Sequence, residues 1–190
     1  MIFNESKLAH KYLDGLKGLE IGGSAHNPFG LNTKNVDCHA SMDTIFKQQE
    51  IHLCGEALPI DILSQGDDLP VGIESQDFIV SSHVIEHFFD PIKAIKEWLR
   101  VVKSGGYVFI IAPHKERTFD SPRPRTTLEE LVGRHCGTIL EPEVDVEMHW
   151  SVWITQDLLD LCEYMGWKVV DSMDQDDKVG NGFTVVIQKK

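Results

Sequence analysis

The stretch SHVIEHFFDP, residues 82–91, places two histidines and a glutamate at a spacing that zinc hydrolases use. His83 and His87 would bind a metal together, beside Glu86, only if one regular helix carried both imidazoles. Asp90, followed by a proline, is instead typical of an N-cap, so the predicted helix begins after the motif. The sequence therefore argues against a zinc hydrolase and predicts no metal ligand here. A metal-assisted enzyme that uses Glu86 and His87 is the alternative.

Histidines also supply the candidate bases. Four of the nine histidines follow predicted strands or lie in a proline-rich segment: His83, His87, His114 and His149. An imidazole can take a proton from a reacting group near neutral pH. His83 and His114 follow the fourth and fifth predicted strands, at the end where open α/β sheets bind ligands. These two are the predicted catalytic residues, and the others are read as helix caps or surface groups.

Apolar runs that alternate with amphipathic helices must position these residues, and they indicate a parallel sheet covered on both faces. The predicted strands are 17–23, 34–37, 57–63, 76–82 and 107–113, followed by WKVVDS and GFTVVIQK as an antiparallel hairpin. Predicted helices end at Gly15–Gly18, lie within 38–50, run from Asp90 to Gly105-Gly106, and end at Gly166. The predicted fold is an α/β Rossmann-like three-layer sandwich around a seven-stranded, mostly parallel sheet.

Residues 113–150 interrupt the alternation with four of the eight prolines and a Thr127-x-x-Glu130 capping box. We predict a single domain over residues 1–190, with this segment inserted on the substrate side. Three arginines of the segment could clamp a carboxylate or phosphate, or could pair with nearby acids: Arg117, Arg123 and Arg125. Trp150 and Trp153 could stack on a ring-shaped substrate or belong to the core.

The turn after the first strand is the candidate cofactor site. Gly22 and Gly23 let the backbone approach a ligand, but GGSAHNPFG lacks the spacing of a dinucleotide fingerprint. Glu20 would repel a pyrophosphate and would favour a cationic ligand such as S-adenosylmethionine. Asp37 ends the second strand, where a carboxylate can accept hydrogen bonds from ribose hydroxyls.

Several segments, in order, resemble the class I S-adenosylmethionine-dependent methyltransferases, and most of all their ubiquinone-biosynthesis-like branch (methyltransferase type 11). They are GLEIGGSAHNP, NVD, GDDLP, residues 76–113 and WITQDLLDLCEYMGWKVV. The likeness covers about residues 17–113 and 150–190. The segment TFDSPRPRTTLEELV is similar to a branch associated with sugars. The resemblance therefore implies a small-molecule acceptor, of which a sugar-linked molecule is one class.

The resemblance also implies roles for individual residues. Glu20, Gly22 and Gly23 would lie against the methionine part of the cofactor, and Asp37 would bind its ribose. The adenine would meet the loop after the third strand, formed by Gln65, Gly66 and Asp67, and the transferred methyl would face Ser82 and His83.

The chain departs from the family pattern at three positions. Ser24 and His26 stand where further glycines are usual, and Gln65 replaces an aspartate, although its carbonyl can still accept a hydrogen bond. A methyltransferase-like binding domain without activity is therefore an alternative, and a metal-dependent hydrolase is another.

Composition limits the remaining classes. The net charge of −12 disfavours partners such as nucleic acid and anionic membranes. The four cysteines show no regular spacing, which predicts reduced thiols. The N-terminal residues lack the apolar run of a secretory leader, and no apolar run is long enough to cross a membrane. We therefore expect a cytoplasmic protein.

Overall fold

Seven strands form one mixed sheet in the computed structural model, which describes residues 1–41, 43–143 and 149–190. They are β1 (Gly18–Ile21), β2 (Thr33–Asp37), β3 (Ile62–Leu63), β4 (Gln76–Ser82), β5 (Val102–Pro113), β6 (Lys168–Met173) and β7 (Gly182–Gln188). Their order is β3-β2-β1-β4-β5-β7-β6. The first five are parallel, and β7 is antiparallel to both β5 and β6. The predicted fold class and terminal hairpin are confirmed.

The helices cover both faces of the sheet. They are α1 (Lys7–Leu13), α2 (Ile45–Cys54), α3 (Pro91–Val101), α4 (Leu128–His135) and α5 (Thr155–Met165). Alternate strand residues pack against α3, α4 and α5 on one face, and against α1 and Phe29 on the other. The chain crosses from β1 to β2 through residues 22–32 without a helix.

Helix starts follow the capping residues in the sequence. The Asp90 carboxylate accepts the Lys93 N–H at 2.9 Å with Pro91 at the first position of α3. The Thr127 hydroxyl accepts the Glu130 N–H at 3.1 Å at the start of α4. Both caps confirm the predicted helix starts.

Several predicted boundaries were wrong. The second helix, expected within 38–50, runs from Ile45 to Cys54, and β5 begins at Val102 rather than at Tyr107. The first helix ends at Leu13, before Gly15. The helix α3 ends at Val101 rather than at Gly105-Gly106, because Val102 pairs with Gln76 in the sheet. The third strand is only two residues long, because Pro59 and the side chain of Asp61 take the place of regular backbone pairing with β2.

None of the helices in the described part of the chain is long and apolar enough to cross a membrane. All four cysteines lie in the described part of the chain as free thiols, and of the four only Cys162 is buried.

The loop between β6 and β7 is held by one carboxylate, Asp176. Its two oxygens accept four backbone N–H groups at 2.7–3.0 Å, those of Lys178, Val179, Gly180 and Gly182. Burial raises the pKa of Asp176, but the four hydrogen bonds outweigh burial and hold this pKa below 3.8.

We expect Asp176→Ala to lower the free energy of unfolding by about 2–3 kcal/mol near neutral pH, since it leaves these donors without a charged acceptor. A carboxyl with a lowered pKa stabilises the fold above its unfolded pKa, and this contribution is lost as pH falls through the folded pKa. The difference from wild type should therefore shrink in acid. Urea denaturation at several pH values measures it, with the exposed Asp160→Ala as control. An equal effect of both substitutions would contradict this assignment.

Candidate active site

The glycine turn lies at the carboxyl end of β1. Gly22 has a φ of +66°, and a side chain there would lie 2.6 Å from Val84. A Cβ on Gly23 would lie within 3.0 Å of the side chains of Asn35 and Glu20. The turn therefore favours glycine at both positions.

Glu20 is buried beneath this turn and accepts a hydrogen bond from Thr33 Oγ1 at 3.3 Å. Burial raises the pKa of Glu20 to about 7, against the opposing effects of the Thr33 hydrogen bond and of the Lys178 and Lys47 ammonium groups. The carboxyl thus changes charge near neutral pH and responds to any cation placed beside it.

Asp37 lies at the end of β2, as predicted, and accepts the His39 N–H at 2.9 Å. The Lys47 ammonium of α2 lies 3.8 Å from Asp37 Oδ2 and 2.8 Å from Glu50 Oε1. Lys47 is buried and also donates to the carbonyl oxygen of Gly23 at 3.4 Å. The glycine turn and the end of β2 therefore share one buried ion-pair network.

The loop after β3 carries the next three predicted residues. Gln65 is exposed, and Asp67 pairs with Lys93 at 2.8 Å. Gly66 is buried, and its carbonyl accepts the indole N–H of Trp98 at 2.7 Å. Trp98 thereby fixes the loop against α3 and leaves the side chain of Gln65 to solvent.

Ser82 and His83 follow β4. The Ser82 hydroxyl accepts from Asn27 Nδ2 at 3.3 Å, which joins the end of β4 to the connection between β1 and β2. His83 has a φ of +56°, unusual for a side chain this large, and burial lowers its pKa. Its Nε2 is buried and has no hydrogen-bond partner among the described residues.

His114 follows β5 but is held in a different way. Its Nδ1 accepts the Glu116 N–H at 3.2 Å, its Nε2 lies 3.8 Å from Asp174, and its ring packs edge-on against Phe183. Burial lowers its pKa, with a further decrease from Arg117. These contacts give His114 a defined role in holding the chain after β5.

A cluster of acids and histidines surrounds Glu86. Residues 85–87 form a short 3-10 turn, so His83 and His87 do not share a regular helix, as the capping pattern predicted. The ring nitrogens of His83, His87 and His149 lie 3.8–4.0 Å from Glu86 Oε1. His149 Nδ1 is hydrogen-bonded to Asp120 Oδ2 at 2.6 Å.

The electrostatics of this cluster follow from its burial. Burial raises the pKa of Glu86 to about 8. Burial, together with smaller effects of the neighbouring histidines, lowers the pKa of His87 to about 4. Glu86 is therefore protonated and His87 neutral at pH 7 when no cation is bound.

The arginines of the segment 113–150 are paired with acids. Arg117 lies 3.1 Å from Asp174, Arg123 lies 2.6 Å from Asp120, and Arg125 lies 3.3 Å from Asp157. These pairs fit the second interpretation of the arginines, in which nearby acids neutralise them. A cavity of about 300 Å³ nevertheless lies beside two of them and is lined by Arg123, Arg125, Arg134, His149 and Trp150.

The two tryptophans differ. Trp150 lines that cavity and packs edge-on against Phe89. Trp153 is buried in the core.

A second cleft, of about 400 Å³, lies beside β1 and β2 and is lined in part by Glu20, Ser24, Thr33, Asn35 and Leu58. Of the predicted cofactor residues, only Glu20 lines it. The others lie at the carboxyl edge of the sheet, around the ends of β1, β2, β3 and β4.

Sequence reasoning missed Asp120, Lys47 and Lys178. Asp120 meets His149 across 29 residues, which no local spacing reveals. Lys178 reaches the carbonyl of Asn4 at 3.2 Å from the other end of the chain. Lys47 did offer a signal, since Lys47 and Glu50 have the spacing of a helical ion pair.

Comparisons with known proteins agree with this geometry. Residues 22–110 match the family model described as a methyltransferase domain. Over 119 residues the chain is 32% identical to an uncharacterised protein of Methanocaldococcus jannaschii, covering 57% of this chain and 54% of that protein. Over 116 residues it is 28% identical to a rice chloroplast 2-methyl-6-phytyl-1,4-hydroquinone methyltransferase, covering 55% and 33%. The chain thus spans about half of the first relative and a third of the second.

Solved structures share the fold. A Thermotoga maritima S-adenosylmethionine-dependent methyltransferase, described as a possible histamine N-methyltransferase, has a TM-score of 0.59 and 21% identity. The match covers 96% of this chain and 86% of that one. A methyltransferase of the same cofactor class from Methanosarcina mazei has a TM-score of 0.59 and 16% identity over 96% and 97% of the two chains.

Proposed function

We propose that this chain is an enzyme that transfers a methyl group from S-adenosylmethionine to a small molecule. It matches the methyltransferase family model and shares the fold of class I methyltransferases. The observation that carries the proposal is a pair of carboxylates, Glu20 and Asp37, at the ends of neighbouring strands beside the glycine turn. S-adenosylmethionine presents a sulfonium and an ammonium group, which suit carboxylate partners. Asn35 and Glu20 leave no room for a side chain at Gly23, so the backbone of the turn stays bare there.

In this proposal each strand end serves one part of the cofactor. Glu20, Gly22 and Gly23 lie against the methionine part, and Asp37 accepts hydrogen bonds from the ribose. The loop formed by Gln65, Gly66 and Asp67 meets the adenine. Because Lys93 already pairs with Asp67, the exposed Gln65 is the freer acceptor for the adenine amino group.

The end of β4 faces the reacting atoms in this arrangement, with Ser82 and His83 beside the methyl group. A lone pair of the acceptor forms a bond to the methyl carbon while the carbon–sulfur bond breaks. The electron pair of the broken carbon–sulfur bond remains on sulfur, and S-adenosylhomocysteine leaves. His83 is our preferred base for the acceptor's proton, because burial keeps it neutral and its Nε2 has no partner in the described structure. His114 is the weaker candidate, since its Nδ1 is occupied by Glu116.

The described part of the inserted segment, residues 113–143 and 149–150, forms the acceptor side of the pocket in this proposal. It lines the cavity of about 300 Å³ with polar and aromatic side chains, which suits a small, oxygen-rich molecule such as a sugar-linked acceptor. The name of the rice relative assigns a small-molecule acceptor to that protein, and this supports the same class here.

An inactive binding domain is the second candidate. The hydrogen bond of 2.5 Å between Ser24 and His26, at positions where further glycines were expected, favours it. Cofactor binding without turnover on any acceptor would support this candidate.

Calorimetry with S-adenosylhomocysteine tests the proposal. We expect one site per chain, and we expect Asp37→Ala to weaken affinity about tenfold or more, since hydrogen bonds to a charged group are lost. Asp77→Ala is the matched control, because Asp77 pairs with Lys103 at 2.7 Å at the opposite end of β4. No binding to wild type would overturn the proposal. An unchanged affinity in Asp37→Ala would overturn the ribose assignment.

A further inference from the structure

The cluster around Glu86 has the composition and spacing of a metal site. Glu86 follows β4, and its side chain is fully buried. Neither carboxylate oxygen has a hydrogen-bond partner among the described residues. A buried carboxyl group whose oxygens lack partners is costly even when it is protonated, and a bound cation would give these oxygens a partner.

Two imidazoles face this carboxylate. The Nε2 atoms of His149 and His87 lie 3.8 Å and 3.9 Å from Glu86 Oε1. One ligand atom from each of the three residues lies within 4.8 Å of the other two. Ligands of a tetrahedral zinc ion lie roughly 3.3 Å apart, so separations of 3.8 Å to at most 4.8 Å must shorten by about 0.5–1.5 Å to complete the site.

Asp120 orients the imidazole of His149. Its Oδ2 lies 2.6 Å from His149 Nδ1, so a hydrogen on this nitrogen would leave Nε2, 3.8 Å from Glu86 Oε1, as the ligand atom of the neutral imidazole. Asp120 is itself buried and pairs with Arg123. A carboxylate behind a histidine in this way is typical of metal ligands.

The backbone joins the two halves of the cluster. The carbonyl oxygen of Glu86 accepts the N–H groups of Trp150 at 2.8 Å and Ser151 at 3.2 Å. These bonds fix His149 beside Glu86 although 63 residues separate them in sequence. The site is therefore held by packed backbone rather than by one helix.

We propose that Glu86, His87 and His149 bind a divalent first-row transition-metal ion, which in turn binds an oxygen atom of the methyl acceptor. Two imidazoles and one carboxylate favour such ions over magnesium or calcium, which prefer oxygen ligands. Three protein ligands leave a coordination position for a substrate. His149 also lines the cavity of about 300 Å³, which gives an acceptor access.

This inference revises the sequence prediction of no metal ligand here and extends the alternative, a metal-assisted enzyme that uses Glu86 and His87, by adding His149. Binding of the ion does not depend on methyl transfer, whereas its contact with the acceptor rests on the proposed function.

Equilibrium dialysis of the full chain against Co²⁺ and Zn²⁺, with the visible absorption of bound Co²⁺, tests the site. We expect one ion per chain. His149→Ala should weaken affinity at least about tenfold, and the conservative Asp120→Asn should weaken it about tenfold, since partners behind a ligand contribute this much. His135→Ala is the matched control. His135 lies outside the cluster and pairs with Asp90 at 2.8 Å, so this variant should bind the ion as wild type does.

Other outcomes would overturn the proposal. One is absence of stoichiometric Co²⁺ or Zn²⁺ binding to wild type, and another is an unchanged affinity in both His149→Ala and Asp120→Asn variants that retain the wild-type circular dichroism spectrum. A loss confined to His39→Ala would assign the ion to the exposed group Asp37, Cys38 and His39 instead. Calorimetry with S-adenosylhomocysteine on the same samples separates failure of the metal site from failure of the proposed methyltransferase function.

Discussion

Replacing Trp98 with alanine should lower the free energy of unfolding by about 3–5 kcal/mol, the usual loss for a large buried aromatic side chain. Trp98 is fully buried in α3, packs edge-on against Phe88, and contacts the central core of the sheet. The same substitution removes the donor that holds the Gly66 carbonyl, so we expect a weaker affinity for S-adenosylhomocysteine as well. Urea denaturation measures the first effect and calorimetry the second.

Trp98→Phe separates the hydrogen bond from the packing. It keeps an aromatic ring but leaves the buried Gly66 carbonyl without its donor, which should cost about 1–2 kcal/mol beyond the change in size. Trp153→Phe is the matched control, because Trp153 is equally buried and its indole nitrogen has no partner among the described residues. Equal losses in the two variants would show that the bond to Gly66 contributes nothing to stability.

Local signals explain why most of the fold was predictable from sequence. The apolar runs of β1, β4 and β5 are buried on both faces of the sheet, so their composition alone identifies them. Capping at Asp90 and Thr127 fixes the starts of α3 and α4 through hydrogen bonds within three residues. The end of α3 was missed because sheet pairing of Val102, a tertiary contact, decides it.

The parts of the candidate site formed by residues close together in sequence were predictable, and the parts formed where distant segments meet were not. Gly22, Glu20 and Asp37 follow from strand ends and turn chemistry. The meeting of Glu86 with His149 depends on how the segment after α4 returns to β4, and no spacing in the sequence encodes it. Lys178 lies in the loop that Asp176 holds. Its contacts with the distant carbonyls of Asn4 and Pro28 place it near Glu20.

In the protein without cofactor, Glu20→Gln should raise the free energy of unfolding at pH 8 by up to about 3 kcal/mol more than it does at pH 4.5. Burial raises the pKa of Glu20 from 4.5 to about 7, so the folded state binds a proton more tightly than the unfolded chain. The stability of wild type therefore falls as pH rises from about 4.5 to about 7, through the cost of ionising a buried carboxyl. Glutamine has no such charge. The difference in unfolding free energy between variant and wild type should grow across this window and then level off.

The same substitution should weaken the affinity for S-adenosylmethionine about tenfold at pH 7.5, because in the proposed arrangement it removes a carboxylate from beside the cationic methionine part. Urea denaturation at pH 4.5 and 8 and calorimetry measure the two effects. Glu163→Gln, at an exposed position of α5, should change neither. A stability difference independent of pH would show that burial does not control the charge of Glu20. An unchanged affinity would place the cofactor away from it. If Glu20→Gln is more stable but binds the cofactor more weakly, Glu20 contributes to cofactor binding and destabilises the protein when no cofactor is bound.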